Sequence, residues 1–386
     1  MNKFIPYGRQ DINKSDIESV LSVLKSDFLT QGPKVVEFEN KVAQLVGSKN
    51  AIATNSATSA LHIACLALDL RSNDLLWTSP NSFVASANCG LYCGASVDFV
   101  DIDKKTLNIC PIALENKLHH AYKINKLPKV IVVVHFAGNS ADMKKIHKVA
   151  SAYDIKLIED ASHAIGGKYN NKLIGSCEFS DITIFSFHPV KIITTGEGGI
   201  ALTNNKALHN KMSFYRSHGI TRDKNNLNYR NKAAWYYEQQ ELGFNYRLND
   251  IQAALGISQL KRLETYVLKR NKLALYYKKK MSKLPILFQE VHGLSAYHLF
   301  VIQLSKVNIA VKRDEIFKVL KQKNIGVNLH YYPIHLQPYY RALGFREGDF
   351  PNAESYAKKA ITLPLYPKLK IQEIDYVIKV LKEIIN

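Results

Sequence analysis

Lys191 lies in the stretch FSFHPVKIITTGEGG, between apolar residues and close to hydroxyl-bearing and glycine residues. An ammonium group in such a segment is costly unless it loses its charge or gains a partner. Two readings follow. Lys191 is either a loop residue reaching solvent along its aliphatic stem or a lysine bonded to something. Three other groups bear on the choice. The segment NSATSA, residues 55–60, joins a predicted strand to a predicted helix, and its small side chains let the N–H groups of Ala57 and Thr58 approach an anion at the positive helix end. EDASHA, residues 159–164, ends a strand that begins IKLI, so its carboxylates suit an N-cap, a metal ligand or a partner for a cation. Phe83 and Trp77 are by default core aromatics, and His163 alone reads as a structural histidine.

Taken together the set is more specific. A phosphate cradle, an aromatic, a strand-end acid and a lysine, in that order, match the needs of pyridoxal phosphate. That cofactor requires a lysine to bond, an acid on its ring nitrogen and an anion site for its phosphate.

The elements that must position these groups are legible as an alternation. AIATN, DLLWTSP, SVDFVDID, PKVIVVVHFAG, IKLIEDAS, DITIFSFH and GGIALTN read as seven strands, with predicted helices between the earlier ones. Short apolar runs joined by helices imply a mainly parallel sheet covered on both faces. In such a sheet ligands gather at the carboxyl ends of the strands. Upstream, Ile17, Val20, Leu21 and Leu24 give an apolar helical face within residues 12–25. VVEFENKVAQLVG reads as a second helix closed by Gly47. A long helix is expected from Asn249 towards Met281. Strands at AYHLFVIQLS and IGVNLHYY then flank a helix at DEIFKVLKQK, and a last helix starts near Gln372. The expected division is a large cofactor-binding domain over residues 1–250, with 1–35 near the small domain, and a smaller C-terminal α/β domain over 251–386. Residues 222–240 read as a surface excursion, a lid or an intersubunit arm.

The 386-residue chain carries 52 Lys plus Arg against 33 Asp plus Glu, a formal net charge of +19. The lysines are scattered and accompany no zinc-finger or RNP-type pattern, which disfavours nucleic acid as a partner. A field that gathers anionic small molecules and a simply solvated basic surface both fit. No apolar run is long enough to span a membrane. The start, MNKFIPYGRQDINKSD, has no signal-peptide pattern, so the expected address is cytoplasmic. Cys65, Cys89, Cys93, Cys110 and Cys177 form no disulfide framework, and Cys89 and Cys93 share one helix face without a nearby histidine pattern for zinc. They read as reduced, packed thiols, and no metal site is expected.

The motifs TNSATSALH, SPNSFVASAN, EDASHAIGG, FSFHPVKIITTGEGG, RSHGI, GFNYRLNDIQAALG and HYYPIHLQPYY closely resemble those of the DegT/StrS nucleotide-sugar aminotransferases. The resemblance runs from IPYGRQDI to ITLPLYPKL, essentially the whole chain. It is nearest the branch that aminates a UDP-4-keto-6-deoxy-N-acetylhexosamine in pseudaminic acid synthesis. It implies a fold-type I pyridoxal phosphate aminotransferase, α/β, with a seven-stranded sheet, a homodimer with shared active sites, and L-glutamate and a UDP-sugar as substrates.

By motif, Lys191 is the implied Schiff-base lysine and Asp160 the partner of the pyridinium nitrogen. Phe83 stacks on the ring and His163 lies near its 3-hydroxyl. Ala57, Thr58 and Ser186 hold the phosphate, and Asn245 reaches the neighbouring subunit's phosphate. The implied sugar-nucleotide lining is Tyr7, Asp27, Phe28, Leu29 and Thr30, with His330, Tyr331, Tyr332 and Pro333 closing over it. Arg216 and Arg247 are cations with either substrate or structural partners. Ile192 stands where a proline often follows the lysine in this branch.

Three rivals remain at this level. A sugar dehydratase on the same scaffold would carry histidine at the lysine position. A dehydrogenase would need a strand–GxGxxG–helix entry, whereas GEGG lies between strands. A non-catalytic regulatory protein would not require intact Lys191 and Asp160.

Overall fold

A computed structural model describes residues 4–229, 233–306 and 310–385. Its centre is a sheet of seven strands: β1 Asn50–Thr54, β2 Leu75–Thr78, β3 Ser96–Phe99, β4 Val130–Val134, β5 Lys156–Asp160, β6 Ile182–Ser186 and β7 Gly199–Thr203. Their spatial order is β1-β7-β6-β5-β4-β2-β3. The β3-β2-β4-β5-β6 run is parallel, and β7 lies antiparallel between β1 and β6. The fully buried VIVVV of β4 and ITIFS of β6 explain the near-continuous apolar runs, since both sheet faces are covered.

Helices α1 Lys14–Leu24, α2 Pro33–Val46, α3 Ala57–Ala67, α4 Ala85–Tyr92, α5 Pro111–Lys123, α6 Met143–Ser151 and α7 Lys206–Arg216 belong to this region. In α2, Pro33 opens the helix and Gly47 ends it in the left-handed conformation at φ 79°. Helix α1 forms within the expected residues 12–25. Its buried residues are Asp16 and Val23, while Ile17, Leu21 and Leu24 are exposed on this chain. Polar anchoring orients it: Asp16 takes 2.6 Å and 2.9 Å bonds from Arg262 and Gln259, and Ser19 Oγ donates to the Ala254 carbonyl.

The stretch expected as one long helix is two, α8 Asp250–Leu260 and α9 Leu263–Lys280. The break at Lys261–Arg262 lets both Gln259 and Arg262 turn onto Asp16. Beyond it, β8 Ile286–Phe288, β9 Phe300–Leu304 and β10 Ala360–Leu363 form an antiparallel sheet. Helices Arg313–Gln322 and Ile371–Ile385 pack on it and share an apolar core with it and α9. Ile5 bridges Ile325, and the Tyr7 carbonyl accepts from Leu365 N–H at 3.0 Å, so the start of the described chain is stitched to this region.

IGVNLHYY is not a strand. It makes only isolated bridges, at Ile325 and at Asn328. The Asn328 side chain accepts from Leu329 N–H, taking a place a ladder would have used. The excursion over 222–240 is closed at its base by a two-residue ladder, Ile220–Thr221 with Glu238–Gln239. Inside it the Glu238 carboxylate accepts from the N–H groups of Asn228 and Tyr229, and Trp235 is exposed. Residues 230–232 lie outside the described set.

Candidate active site

The carboxyl ends of β1, β5 and β6 open into a cavity of about 900 Å³, within the usual range for small-molecule sites. Into it the sheet delivers the groups singled out from sequence. Strand alternation sends Glu159 and Asp160 to opposite faces. Glu159 is held by His135 Nε2 at 2.7 Å and by Ser180, whereas Asp160 lines the cavity. Both Asp160 oxygens are gripped. Ser86 Oγ donates to Oδ2 and Ser162 Oγ to Oδ1, each at 2.6 Å, and Ser162 N–H adds a 3.2 Å bond. Fixed donors of this kind hold a carboxylate in one orientation.

At the other end, Ser56 caps α3 by accepting from Ser59 N–H at 3.1 Å. That cap leaves the N–H groups of Ala57 and Thr58 without helical partners, and no acidic side chain occupies the first turn to compete for them. Ser186, at the end of β6, lines the same end of the cavity. Gly199 makes the close approach possible, because a Cβ there would run into the backbone of Ser56 and Ala57.

Lys191 sits in the wall between these two ends. Among the described residues its Nζ has no hydrogen-bond or ion-pair partner. Burial pulls its ammonium down to about 8, against the opposing attraction of Asp160. Phe83 is not a core aromatic. It is 57% exposed and lines the cavity, with its centroid 6.2 Å from that of Tyr331, whereas Trp77 is buried.

His163 is flanked by Tyr331 and His298, at ring-centroid distances of 6.0 Å and 4.4 Å. Its Nδ1 accepts from Ala137 N–H, which leaves the proton on Nε2, 3.1 Å from the Tyr331 hydroxyl. Burial first, and the Lys191 charge second, push His163 well below the ordinary histidine range. The same causes bring His330 down to about 3. This wall is therefore neutral at physiological pH.

The cavity thus gathers Ala57, Thr58, Phe83, Asp160, His163, Ser186, Lys191, Tyr7, His330 and Tyr331. Seven sequence-derived positions fall elsewhere. Asp27, Phe28, Leu29 and Thr30 are exposed on the surface, tied to α8 by the Leu29 carbonyl and Asp250 N–H. Tyr332 and Pro333 line a separate small depression beside Glu354. Asn245 is exposed and does not line this chain's cavity. Arg216 is settled as structural, paired with Glu39 and the Ala53 carbonyl.

Sequence reading missed Ser86, Ser162 and His298. The serines carry no signal apart from standing beside the cavity motifs. His298, a lone histidine before an apolar strand, was legible only as part of that strand.

The sequence profile described as the DegT/DnrJ/EryC1/StrS aminotransferase family matches residues 10–382. A UDP-4-amino-4,6-dideoxy-N-acetyl-beta-L-altrosamine transaminase from Campylobacter jejuni is 39% identical, over 97% of this chain and 95% of its own. The solved structure of Helicobacter pylori PseC, described as an aminotransferase involved in the biosynthesis of pseudoaminic acid, superposes with a TM-score of 0.89. It is 32% identical and covers 99% of both chains. Spr1654 from Streptococcus pneumoniae, solved in a PMP form, has a TM-score of 0.89 at 28% identity over 98% of both chains.

Proposed function

The chain belongs to the DegT/DnrJ/EryC1/StrS aminotransferase family, and from that premise we propose that it moves the amino group of L-glutamate to the C4 ketone of a UDP-linked 2-acetamido-2,6-dideoxy-β-L-arabino-hex-4-ulose, a step of pseudaminic acid synthesis. At the coarser level it is a pyridoxal-phosphate-dependent sugar aminotransferase. The observation that carries the reading is Lys191, without a partner among the described residues, in the wall of a cavity with a clamped carboxylate at one end and open helix N–H groups at the other.

These residues fit the cofactor. The N–H groups of Ala57 and Thr58, the α3 dipole and the Ser186 hydroxyl suit its phosphate. Asp160, fixed by Ser86 and Ser162, suits a protonated ring nitrogen, and Phe83 supplies an apolar face for the ring. When bound, pyridoxal phosphate supplies a carbonyl for amines to bond and a ring that draws an electron pair from the adjoining carbon.

The chain's own part is proton management and placement. Lys191, neutral in appreciable fraction because burial lowers its pKa, takes the proton from the α carbon of the amino donor. In the second half-reaction Lys191 gives a proton to C4 of the sugar. Tyr331 and neutral His163 exclude water from one side and hold the Nε2 proton between them. Tyr7, His330 and Tyr331 form the part of the wall built by the chain start and the small-sheet region, where the sugar is expected to lie.

The 27–30 loop, outside this cavity in one chain, is assigned no contact. Asn245, exposed and outside its own chain's cavity, is proposed to reach the phosphate in a second copy, which makes a homodimer the working assembly.

The test offers the purified protein several UDP-4-keto sugars with L-glutamate and identifies the products by NMR. Amination at C4 of the L-arabino-configured sugar is expected. Amination of another keto sugar alone would overturn the substrate assignment and leave the reaction class standing.

A further inference from the structure

His163, in the cavity wall, is aimed by a turn that lies behind it. After β4 the chain reverses over residues 136–139, and Ala137 takes the left-handed conformation, φ 60° and ψ 7°. An alanine is disfavoured there because its Cβ crowds the neighbouring backbone, whereas glycine enters that region freely. Something outside the turn must therefore hold it. Gly138 follows at φ 95°, and a Cβ on it would meet the His163 carbonyl and the backbone nitrogens of Tyr297 and His298, so the turn is seated directly against the wall. From this seat the Ala137 N–H donates to His163 Nδ1 at 3.3 Å.

Asn108 supplies the hold. It is buried in the segment between β3 and α5, outside the cavity. Its Oδ1 accepts from Phe136 N–H at 2.8 Å, and its Nδ2 donates to the Asn139 carbonyl at 3.1 Å. One side-chain amide thus clamps both ends of the turn with a donor and an acceptor. Its own backbone is fixed, since the Asn108 carbonyl accepts from Asp103 N–H at 2.8 Å. The peptide that carries the Ala137 N–H lies between the two clamped ends. Its Phe136 carbonyl accepts from Asn139 N–H at 3.0 Å and from Gln289 Nε2 at 3.3 Å.

We propose that Asn108 is a positioning residue: by clamping the 136–139 turn it keeps Ala137 left-handed, and the Ala137 N–H then fixes His163 as the Nε2–H tautomer. A neutral imidazole carries one ring proton, and its two nitrogens compete for it. A backbone N–H aimed at Nδ1 excludes a proton there, because two hydrogens would face each other. Nε2 then presents a donor on the Tyr331 side of the cavity, where the hydroxyl lies at 3.1 Å. For its catalytic consequence this rests on the proposed aminotransferase reading: a donor suits the cofactor oxygen expected beside His163, and an acceptor would repel it.

The experiment reads the ring nitrogens of His163 by nitrogen NMR in the full-length, cofactor-loaded protein labelled at histidine, with His163→Asn identifying the signals. The natural sequence should show a protonated Nε2 and a bare Nδ1. Asn108→Ala should give a mixture of the two tautomers and lower kcat about tenfold or more. Adding Ala137→Gly to Asn108→Ala should restore the single tautomer and most of kcat, because glycine holds the left-handed conformation without a clamp. Lost packing at residue 108 would not be repaired in that way. Where Asn108→Ala alone does not fold, the double variant carries the same decision. Tyr331→Phe, which leaves the clamp intact, should keep the proton on Nε2. A single Nε2–H tautomer in Asn108→Ala, a double variant that keeps the mixture or fails to fold, or a proton that moves to Nδ1 in Tyr331→Phe would each overturn the proposal. The NMR signals do not depend on turnover, so an absence of transamination in the unmutated protein would count against the proposed reaction alone.

Discussion

The neutral fraction of Lys191 is the quantity on which the proposed proton transfer turns, and it can be measured without turnover. An ordinary lysine at about 10.4 is neutral in fewer than one molecule in a thousand at pH 7. Burial brings Lys191 to about 8, so about a tenth of the cofactor-free protein carries the neutral amine at pH 7, and about half at pH 8. The sign is fixed by the neutral form being reactive: reactivity rises with pH through about 8 and levels off above it. Trace acetylation of the cofactor-free protein, read at the Lys191 peptide by mass spectrometry, should rise about tenfold from pH 6 to 7 and less than twofold beyond pH 9. Asp160 pulls the other way, because its negative charge favours the ammonium. Asp160→Asn should therefore move the midpoint to lower pH. The same change removes the acid facing the ring nitrogen and should cost most of the transaminase rate while cofactor remains bound. Labelling that climbs tenfold per unit past pH 9, as for a surface lysine, would refute the argument, as would an upward shift in Asp160→Asn.

Three further outcomes follow from the same geometry. Lys191→Arg should abolish transamination by at least about a thousandfold, since a guanidinium neither bonds the carbonyl nor accepts the carbon-bound proton near neutral pH; single-turnover assays with glutamate check this. Gly199→Ala places a methyl against the Ser56 and Ala57 backbone. At about 1–3 kcal/mol of overpacking, cofactor affinity should fall about tenfold or more, measured by spectroscopic titration. Arg270→Met removes bonds from Nη1 to the carbonyls of Tyr297, His298 and Leu365, at 3.2, 3.3 and 2.9 Å. Leaving those carbonyls unpaired inside the fold should destabilise the protein by about 2–3 kcal/mol, visible in denaturant unfolding, and should raise KM more than it lowers kcat because His298 and Tyr7 both depend on that junction.

What was legible in the sequence, and what was not, divides along a physical line. Strands buried on both faces announce themselves as apolar runs, so VIVVV and ITIFS were readable and with them the sheet. Lys191 was readable because a charge amid apolar residues is an anomaly that needs an explanation, whereas the strand-end acid Asp160 stood out only in combination with the other motifs. No such anomaly marks Ser86 or Ser162. They matter only because α4 and the turn after β5 meet over one carboxylate, a fact of tertiary packing. The antiparallel seat of β7 between β1 and β6 is likewise a choice of neighbour, which periodicity does not encode.

The apolar stripe of α1 marked the helix but carried nothing about its orientation, for a related reason. Periodicity reports that Ile17, Leu21 and Leu24 share a face, but the helix is oriented by the buried Asp16 and its bonds to Arg262 and Gln259, far away in sequence. Two strong charge-assisted anchors outweighed three apolar side chains, and a polar residue inside an amphipathic pattern was the sign that they would. Lys191 and Asp16 therefore teach one lesson from opposite sides: the residue that breaks a pattern carries more positional information than the residues that keep it.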